Sequence, residues 1–136
     1  MATNNATNFP KVRTVVANST QQMENNVCYM INATGLHTLT LPATSEMGDV
    51  VHFCTMVASN SFHIAQHADQ YMVAASSGAE HKTTIGTGGY VSGGGSSYYT
   101  YYSLMCIEAN KGWIFTGYQS AYDSTHNYPP GGLGFY

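Results

Sequence analysis

The amino-acid sequence predicts a single all-β domain, arranged as an antiparallel, jelly-roll-like β-sandwich. Apolar and β-branched residues recur at every second position far more often than at helical spacing. Clusters of Gly, Pro, Asn and Asp separate these runs. The chain has 136 residues, which is the usual size of one domain with one core.

Nine strands follow from this alternation. We place them at residues 11–17, 26–32, 37–41, 49–57, 62–66, 71–74, 83–85, 97–108 and 112–119. The domain therefore spans residues 11–120, after a flexible N-terminal segment at 1–10. Residues 121–136 form a tail rich in Pro, Gly and Tyr, which is either an arm that reaches a neighbouring copy or a frayed end.

The turns between the strands have recognisable chemistry. Gly35 accepts a positive φ, and Pro42 follows a strand that it cannot extend. Asn110, Lys111 and Gly112 join the last two strands at hairpin length, so we expect those strands to pair antiparallel. The run 86–97 contains six glycines and no phosphate-loop lysine, which indicates a surface loop.

Charge is scarce in this chain. Charged residues make up 8% of the sequence, against about 25% in a typical soluble domain. The formal net charge is −3, and the only fixed cations are Lys11, Arg13, Lys82 and Lys111. No basic stripe exists to neutralise phosphates, so we expect no nucleic-acid partner.

Two predicted strands are apolar on both faces, which favours self-association. In 49–57, Val51 and Phe53 alternate with His52 and Cys54, and the strand 97–108 has the same character. One small sandwich has few places to bury both faces of two strands. Interface cores are also depleted in charge, so a homo-oligomer fits the composition.

The sequence gives no sign of a membrane span or a secretory leader. No run approaches about 18 apolar residues, and the first residues lack a charged and an apolar region. We therefore expect a chain that is made in the cytoplasm without a signal peptide. The three cysteines, Cys28, Cys54 and Cys106, lie in apolar runs, which favours reduced, buried thiols.

No residue pattern predicts a metal site, a cofactor or an enzyme. On a strand, His63 and His67 would be about 13 Å apart, and neighbouring same-face residues such as His52 and Cys54 about 7 Å apart. The seven carboxylates form no acid–base pair in the sequence, and a nucleophile-elbow motif is missing. A polysaccharide hydrolase built across loops is the least favoured alternative.

Tyrosine is in excess, with eleven residues. We assign a candidate ligand-binding role to Tyr90, Tyr98, Tyr99 and Tyr101, which lie beside Gly- and Ser-rich segments. Tyr, Ser and Gly are typical of recognition surfaces, because tyrosine offers a large contact area with little rotamer loss. The alternative is that the same tyrosines pack between copies of the chain.

Five short motifs occur in an order that resembles a known family. They are Leu-Thr-Leu-Pro-Ala-Thr at 39–44, Gly-Asp at 48–49, aromatic-x-Ile-Ala-Gln-x-Ala-x-Gln at 62–70, a Thr-Gly loop at 87–89 and a hairpin at 107–113. In this order they resemble a β module of phage tail-fibre and head-fibre proteins, and of related viral and bacterial surface proteins. Phe62 stands where the family usually has Trp, and the PPGGLGFY ending lies outside the pattern.

The resemblance implies a homotrimeric, non-catalytic domain with a structural or adhesive role. The chain would then belong to a virion or an extracellular appendage, with a host-surface glycan or protein as receptor. The alternative is a self-assembling subunit of a capsid decoration or an extracellular filament, whose tail docks on the next copy.

Overall fold

A computed structural model describes residues 11–15, 20–32, 34–56, 60–76, 79–95, 100–119 and 134–136. These residues form twelve strands and no helix, which confirms the all-β prediction. The strands are β1 (Lys11–Val15), β2 (Thr20–Gln22), β3 (Val27–Ile31), β4 (Gly35–Thr40), β5 (Val50–Thr55), β6 (Asn60–Ala65), β7 (Tyr71–Ser76), β8 (Ala79–Lys82), β9 (Tyr90–Gly95), β10 (Thr100–Glu108), β11 (Gly112–Gln119) and β12 (Gly134–Phe135). No helix in the described ranges is long and apolar enough to span a membrane.

The strands form two sheets whose inner faces share one core. The seven-stranded sheet has the order β1-β3-β5-β10-β11-β7-β8, and the five-stranded sheet has the order β12-β9-β6-β4-β2. Buried apolar side chains from both sheets belong to a single cluster, which is consistent with a β-sandwich.

The first six strands alternate between the sheets. β1, β3 and β5 are neighbours and run parallel in one sheet, and β2, β4 and β6 do the same in the other. Five of the ten described strand pairings are parallel and five are antiparallel. The prediction of an antiparallel, jelly-roll-like sandwich is therefore wrong in strand direction, because alternation of side chains reports which face is buried and not how the neighbour runs.

The hairpin prediction is confirmed. β10 and β11 pair antiparallel through the turn at Asn110, which has a φ of 61°. The strand predicted at 83–85 is found earlier in the chain, as β8. β2 was not predicted, because three residues are too few to show an alternation of apolar and polar side chains.

The glycine run at 86–97 is not the surface loop that we predicted, because it contains strand β9. β9 pairs with β6 on one side and with β12 on the other. Gly93 stands opposite Phe62, whose buried ring belongs to the core. Pairing on both flanks, together with a large aromatic residue across from glycine, overrides the weak strand preference of glycine.

An aromatic group joins the two sheets. Phe53 and Tyr102 of the seven-stranded sheet stack with ring centroids 4.8 Å apart. Phe62 of the five-stranded sheet meets both rings edge-on, at 5.1 Å from Phe53 and 5.3 Å from Tyr102. Such edge-to-face geometry stabilises the core beyond simple burial.

A buried polar network fixes the loop before β9. The Gln66 amide donates to the carbonyls of Thr84 and Gly86 at 2.9 and 2.8 Å. The Thr83 hydroxyl donates a 2.7 Å hydrogen bond to Gln66 Oε1. The same hydroxyl accepts a 2.9 Å hydrogen bond from the backbone NH of Met72. Gln66 and Thr83 are both buried, so each hydrogen bond carries a large penalty if it is lost.

The last described residues close one edge of the sandwich. Gly134 and Phe135 pair with β9 of their own chain, and Phe135 packs edge-on against Phe115 with centroids 5.8 Å apart. The predicted N-terminal segment at 1–10 and the tail residues 121–133 lie outside the described residues.

Candidate functional site

One outer surface, which we call the sulfur-rich face, lies on the seven-stranded sheet. Side chains alternate along each strand, so the neighbours of core residues point outward. The face consists of Cys28, Met30, Val50, His52, Cys54, Met56, Tyr101, Met105 and Ile114, all half-buried. None of these nine residues carries a formal charge.

Strand register gathers these side chains into one continuous area. Met30 of β3 stands beside Cys54 of β5, which stands beside Tyr101 of β10. Met105 is flanked by Val50 on β5 and Ile114 on β11. The uncharged area therefore extends across four strands, and His52, Tyr101 and Ser103 are polar residues within it.

Charged groups lie at one margin of this sheet. Lys111 Nζ is 3.6 Å from Glu108 Oε1, and the Tyr71 hydroxyl donates to Glu108 Oε2 at 2.9 Å. Lys82 Nζ lies 4.1 Å from the centre of the Tyr71 ring. An apolar centre beside a charged margin is the usual anatomy of a protein–protein interface.

His52 and Tyr101 form the polar pair within the sulfur-rich face. His52 Nδ1 lies 2.5 Å from the Tyr101 hydroxyl, and the two rings are stacked with centroids 5.8 Å apart. Burial lowers the pKa of His52, because the protonated ring loses hydration there. The neutral imidazole is therefore favoured at this position.

The thiols of the face are free. Burial raises the pKa of Cys28 and Cys54, and the nearby Cys54 raises that of Cys28 further. Cys28 Sγ lies 3.9 Å from Met30 Sδ, and Cys54 Sγ lies 3.8 Å from Met56 Sδ. Within the described residues, no three His, Cys, Asp or Glu side chains are arranged to hold a metal ion.

The opposite outer surface, on the five-stranded sheet, is polar but also uncharged. We call it the hydroxyl-rich face, and it consists of Gln22, Thr38, Thr40, His63, Tyr90, Ser92 and Tyr136. Tyr90 is stacked on Tyr136 at 4.7 Å and contacts His63 at 4.6 Å between centroids. Tyr136 remains 55% exposed, so one side of this aromatic group is open to a ligand.

The four predicted tyrosines do not form one described cluster. Tyr90 lies on the hydroxyl-rich face, whereas Tyr101 lies on the sulfur-rich face of the other sheet. Tyr98 and Tyr99 lie outside the described residues. The contribution of Tyr136 and His63 was not foreseen from the sequence, since only the pairing of β12, β9 and β6 brings them beside Tyr90.

An open groove lies where several turns meet, and its polar groups mostly support those turns. It is lined by Asn25, Thr44, Ser45, Glu46, Asp49, Ala109 and Asn110. Asp49 Oδ2 accepts a hydrogen bond from the backbone NH of Glu46 at 2.8 Å, and Asn110 Oδ1 accepts one from that of Ser45 at 2.8 Å. Asp49 therefore acts as a turn residue in this structure.

Comparison with known proteins adds no family assignment, since no family model and no curated protein matches the chain. Function is accordingly inferred from the two outer faces, which differ in chemistry although they belong to one small sandwich.

Proposed function

We propose that the chain is a non-enzymatic structural and adhesive domain of the fibre type. It assembles as a homotrimer through the sulfur-rich face and presents the hydroxyl-rich face to a receptor. The observation that carries this proposal is the continuous, uncharged sulfur-rich face on the surface of a single chain.

The physical reason is the cost of leaving this face in water. Burial of apolar surface contributes roughly 25 cal/mol per Å². Cys, Met, Val and Ile side chains supply that surface here, and the Tyr101 hydroxyl pairs with His52 Nδ1 within it. A second copy could therefore cover the face without burying an unpaired charge.

The number of copies follows from the resemblance to fibre modules and not from the geometry of one chain. A trimer places three equivalent faces around one axis, as closed symmetry requires. The site of action would then be a virion or an extracellular appendage, with the domain as one unit of a fibre.

Receptor binding is assigned to the hydroxyl-rich face. Thr, Ser, Gln and Tyr side chains offer neutral hydrogen-bonding groups, and the Tyr90–Tyr136 stack offers an aromatic surface beside them. This combination suits an uncharged ligand such as a neutral cell-surface glycan better than a phosphate or an acidic peptide. Tyr90 is the residue on which this assignment depends most.

The test is the solution mass of the purified chain, measured by light scattering after size exclusion. We expect about three times the 14.7 kDa of one chain. Met105→Lys places a charge in the sulfur-rich face and should lower the mass to that of a monomer. Thr38→Lys, a matched charge on the other sheet, should leave the mass unchanged.

A wild-type monomer at micromolar concentration would contradict the proposal. A trimer that survives Met105→Lys but not Thr38→Lys would place the interface on the five-stranded sheet. That result would contradict assembly through the sulfur-rich face. Higher assembly that is lost when residues 123–133 are replaced by a Gly/Ser linker of the same length, with β12 and the trimers retained, would favour the filament alternative.

A further inference from the structure

We propose that protonation of His52 controls self-association, so that copies assemble while the imidazole is neutral and separate as the solution becomes acidic. This inference rests on the proposed function, because it requires the sulfur-rich face to be the interface. It adds a regulatory property that the apolar character of the face does not by itself imply.

His52 has a central position in this face. It lies on β5, between β3 on one side and β10 on the other. In register, Cys28 stands beside it on β3 and Ser103 on β10. A partner that covers the face therefore covers His52 as well.

The groups around His52 provide no counter-charge. Cys28 and Met30 face it from β3, Val50 and Cys54 flank it on β5, and Tyr101, Ser103 and Met105 approach from β10. The titratable members of this set are the two thiols and the phenol, and burial raises the pKa of both thiols. The raised pKa keeps both thiols neutral where histidine titrates, and none of the groups named here is a carboxylate, so an imidazolium at this position has no described carboxylate partner.

The sign of the effect follows from linkage. Burial within the single chain already lowers the pKa of His52, and exclusion of the remaining water by a partner acts in the same direction. The contribution to assembly is therefore complete above the pKa that His52 has in the separated chain, which lies below the ordinary histidine value of about 6.5, and is lost as the pH falls through it. Each His52 that must shed a proton weakens assembly by up to about tenfold per pH unit, or about a thousandfold for a trimer.

Other histidines have different surroundings. His63 contacts Tyr90 on the hydroxyl-rich face, and His67 Nε2 lies 3.0 Å from Gln22 Oε1. His81 packs against Phe135 at the sandwich edge. His37 is fully buried in the core and does not lie on the sulfur-rich face. Circular dichroism reports whether the fold itself persists in acid.

The experiment measures mass by light scattering from about pH 7.5 to about pH 5.5, with circular dichroism on the same samples. We expect the wild type to lose its assembled mass in acid while its β-sheet spectrum persists. His52→Gln and His52→Met remain neutral and should stay assembled throughout. His63→Gln, the control on the other sheet, should dissociate like the wild type.

Three results would overturn the inference. The first is an assembled mass that does not change with pH, which leaves the fibre proposal intact. The second is equal acid dissociation of wild type, His52→Gln and His52→Met. The third is loss of the β-sheet spectrum together with the mass. A wild-type chain that is already monomeric at about pH 7.5 would instead contradict the fibre proposal itself. It would also contradict regulation of assembly by His52, which depends on that proposal.

Discussion

Gly89 lies directly against the side chain of Gln66. A Cβ built on Gly89 would stand 2.6 Å from Gln66 Nε2 and would also overlap the carbonyl oxygen of Thr84. Gln66 cannot move aside freely, because its amide holds the carbonyls of Thr84 and Gly86. The glycine and the glutamine therefore form one unit that fixes the loop before β9.

Gly89→Ala should lower the free energy of unfolding by about 2 kcal/mol, because the added methyl group displaces a buried hydrogen-bonded amide. Gly88→Ala is the matched control, since nothing lies within 4 Å of its Cβ position. Urea unfolding of both variants measures the difference. Equal stability of the two alanine variants would contradict the packing of Gly89 on Gln66.

Thr83→Val should destabilise the fold by about 1–3 kcal/mol. The substitution keeps the shape of the side chain but leaves Gln66 Oε1 and the backbone NH of Met72 without their partner. Thr38→Val on the half-buried outer face should change the stability by less than about 0.5 kcal/mol. Thermal unfolding of the two variants would refute the network if both lost the same amount.

Phe135→Ala should lower the free energy of unfolding by about 1–3 kcal/mol, because its ring packs on Phe115 and His81 at the edge of the sandwich. Tyr136→Ala, which removes a largely exposed ring next to it, should cost less than half as much. Chemical denaturation compares them. A larger loss for Tyr136→Ala would show that β12 does not close the core.

Alkylation of the thiols should report assembly. Burial raises the pKa of Cys28 and Cys54, so less thiolate is present at neutral pH and iodoacetamide should react slowly with both. Covering the sulfur-rich face should slow them further, and Met105→Lys should restore the faster rate. Mass spectrometry of the alkylated peptides measures each site, and buried Cys106 serves as the unreactive reference. Unchanged rates in Met105→Lys would argue that the face is open in the wild type.

Tyr90→Ala should weaken receptor binding at least about tenfold, because it removes the ring that links His63 and Tyr136. A glycan array with the intact oligomer identifies a ligand, and titration with that ligand gives the affinity. Met47→Ala, a substitution of an exposed side chain in the turn before β5, is the control. Binding that survives Tyr90→Ala would move recognition away from this face.

The alternation of apolar residues was sufficient to predict strands such as β3, β5, β10 and β11. It could not predict sheet topology, since the parallel pairing of β1, β3 and β5 depends on successive strands entering different sheets. The glycines of β9 likewise argue for a loop until β6 and β12 are known to flank them. The intrinsic conformational preference of a residue determines its secondary structure only where tertiary contacts are few.

The same limit applies to function. The two-sided apolar character of β5 and β10 was visible in the sequence and predicted self-association, but the sequence did not show that β3 and β11 extend this surface. Gln66 and Gln70 stood out within the family-like motif, yet only the fold shows the structural role of Gln66 in pinning the loop before β9. Tyr90 and Tyr101 were candidates on composition alone, and composition cannot tell which sheet a side chain faces.

The alternation of the first six strands also determines how the domain yields to a mechanical load. β1 and β2 are the outermost strands of their sheets, so tension applied at residue 11 detaches one strand pair at a time. At the other end, tension first detaches β12, an outermost strand that pairs through two residues, and only then reaches β11, which is hydrogen-bonded to both β10 and β7. The strands at the sheet edges would therefore separate one at a time before the centre of the seven-stranded sheet yields.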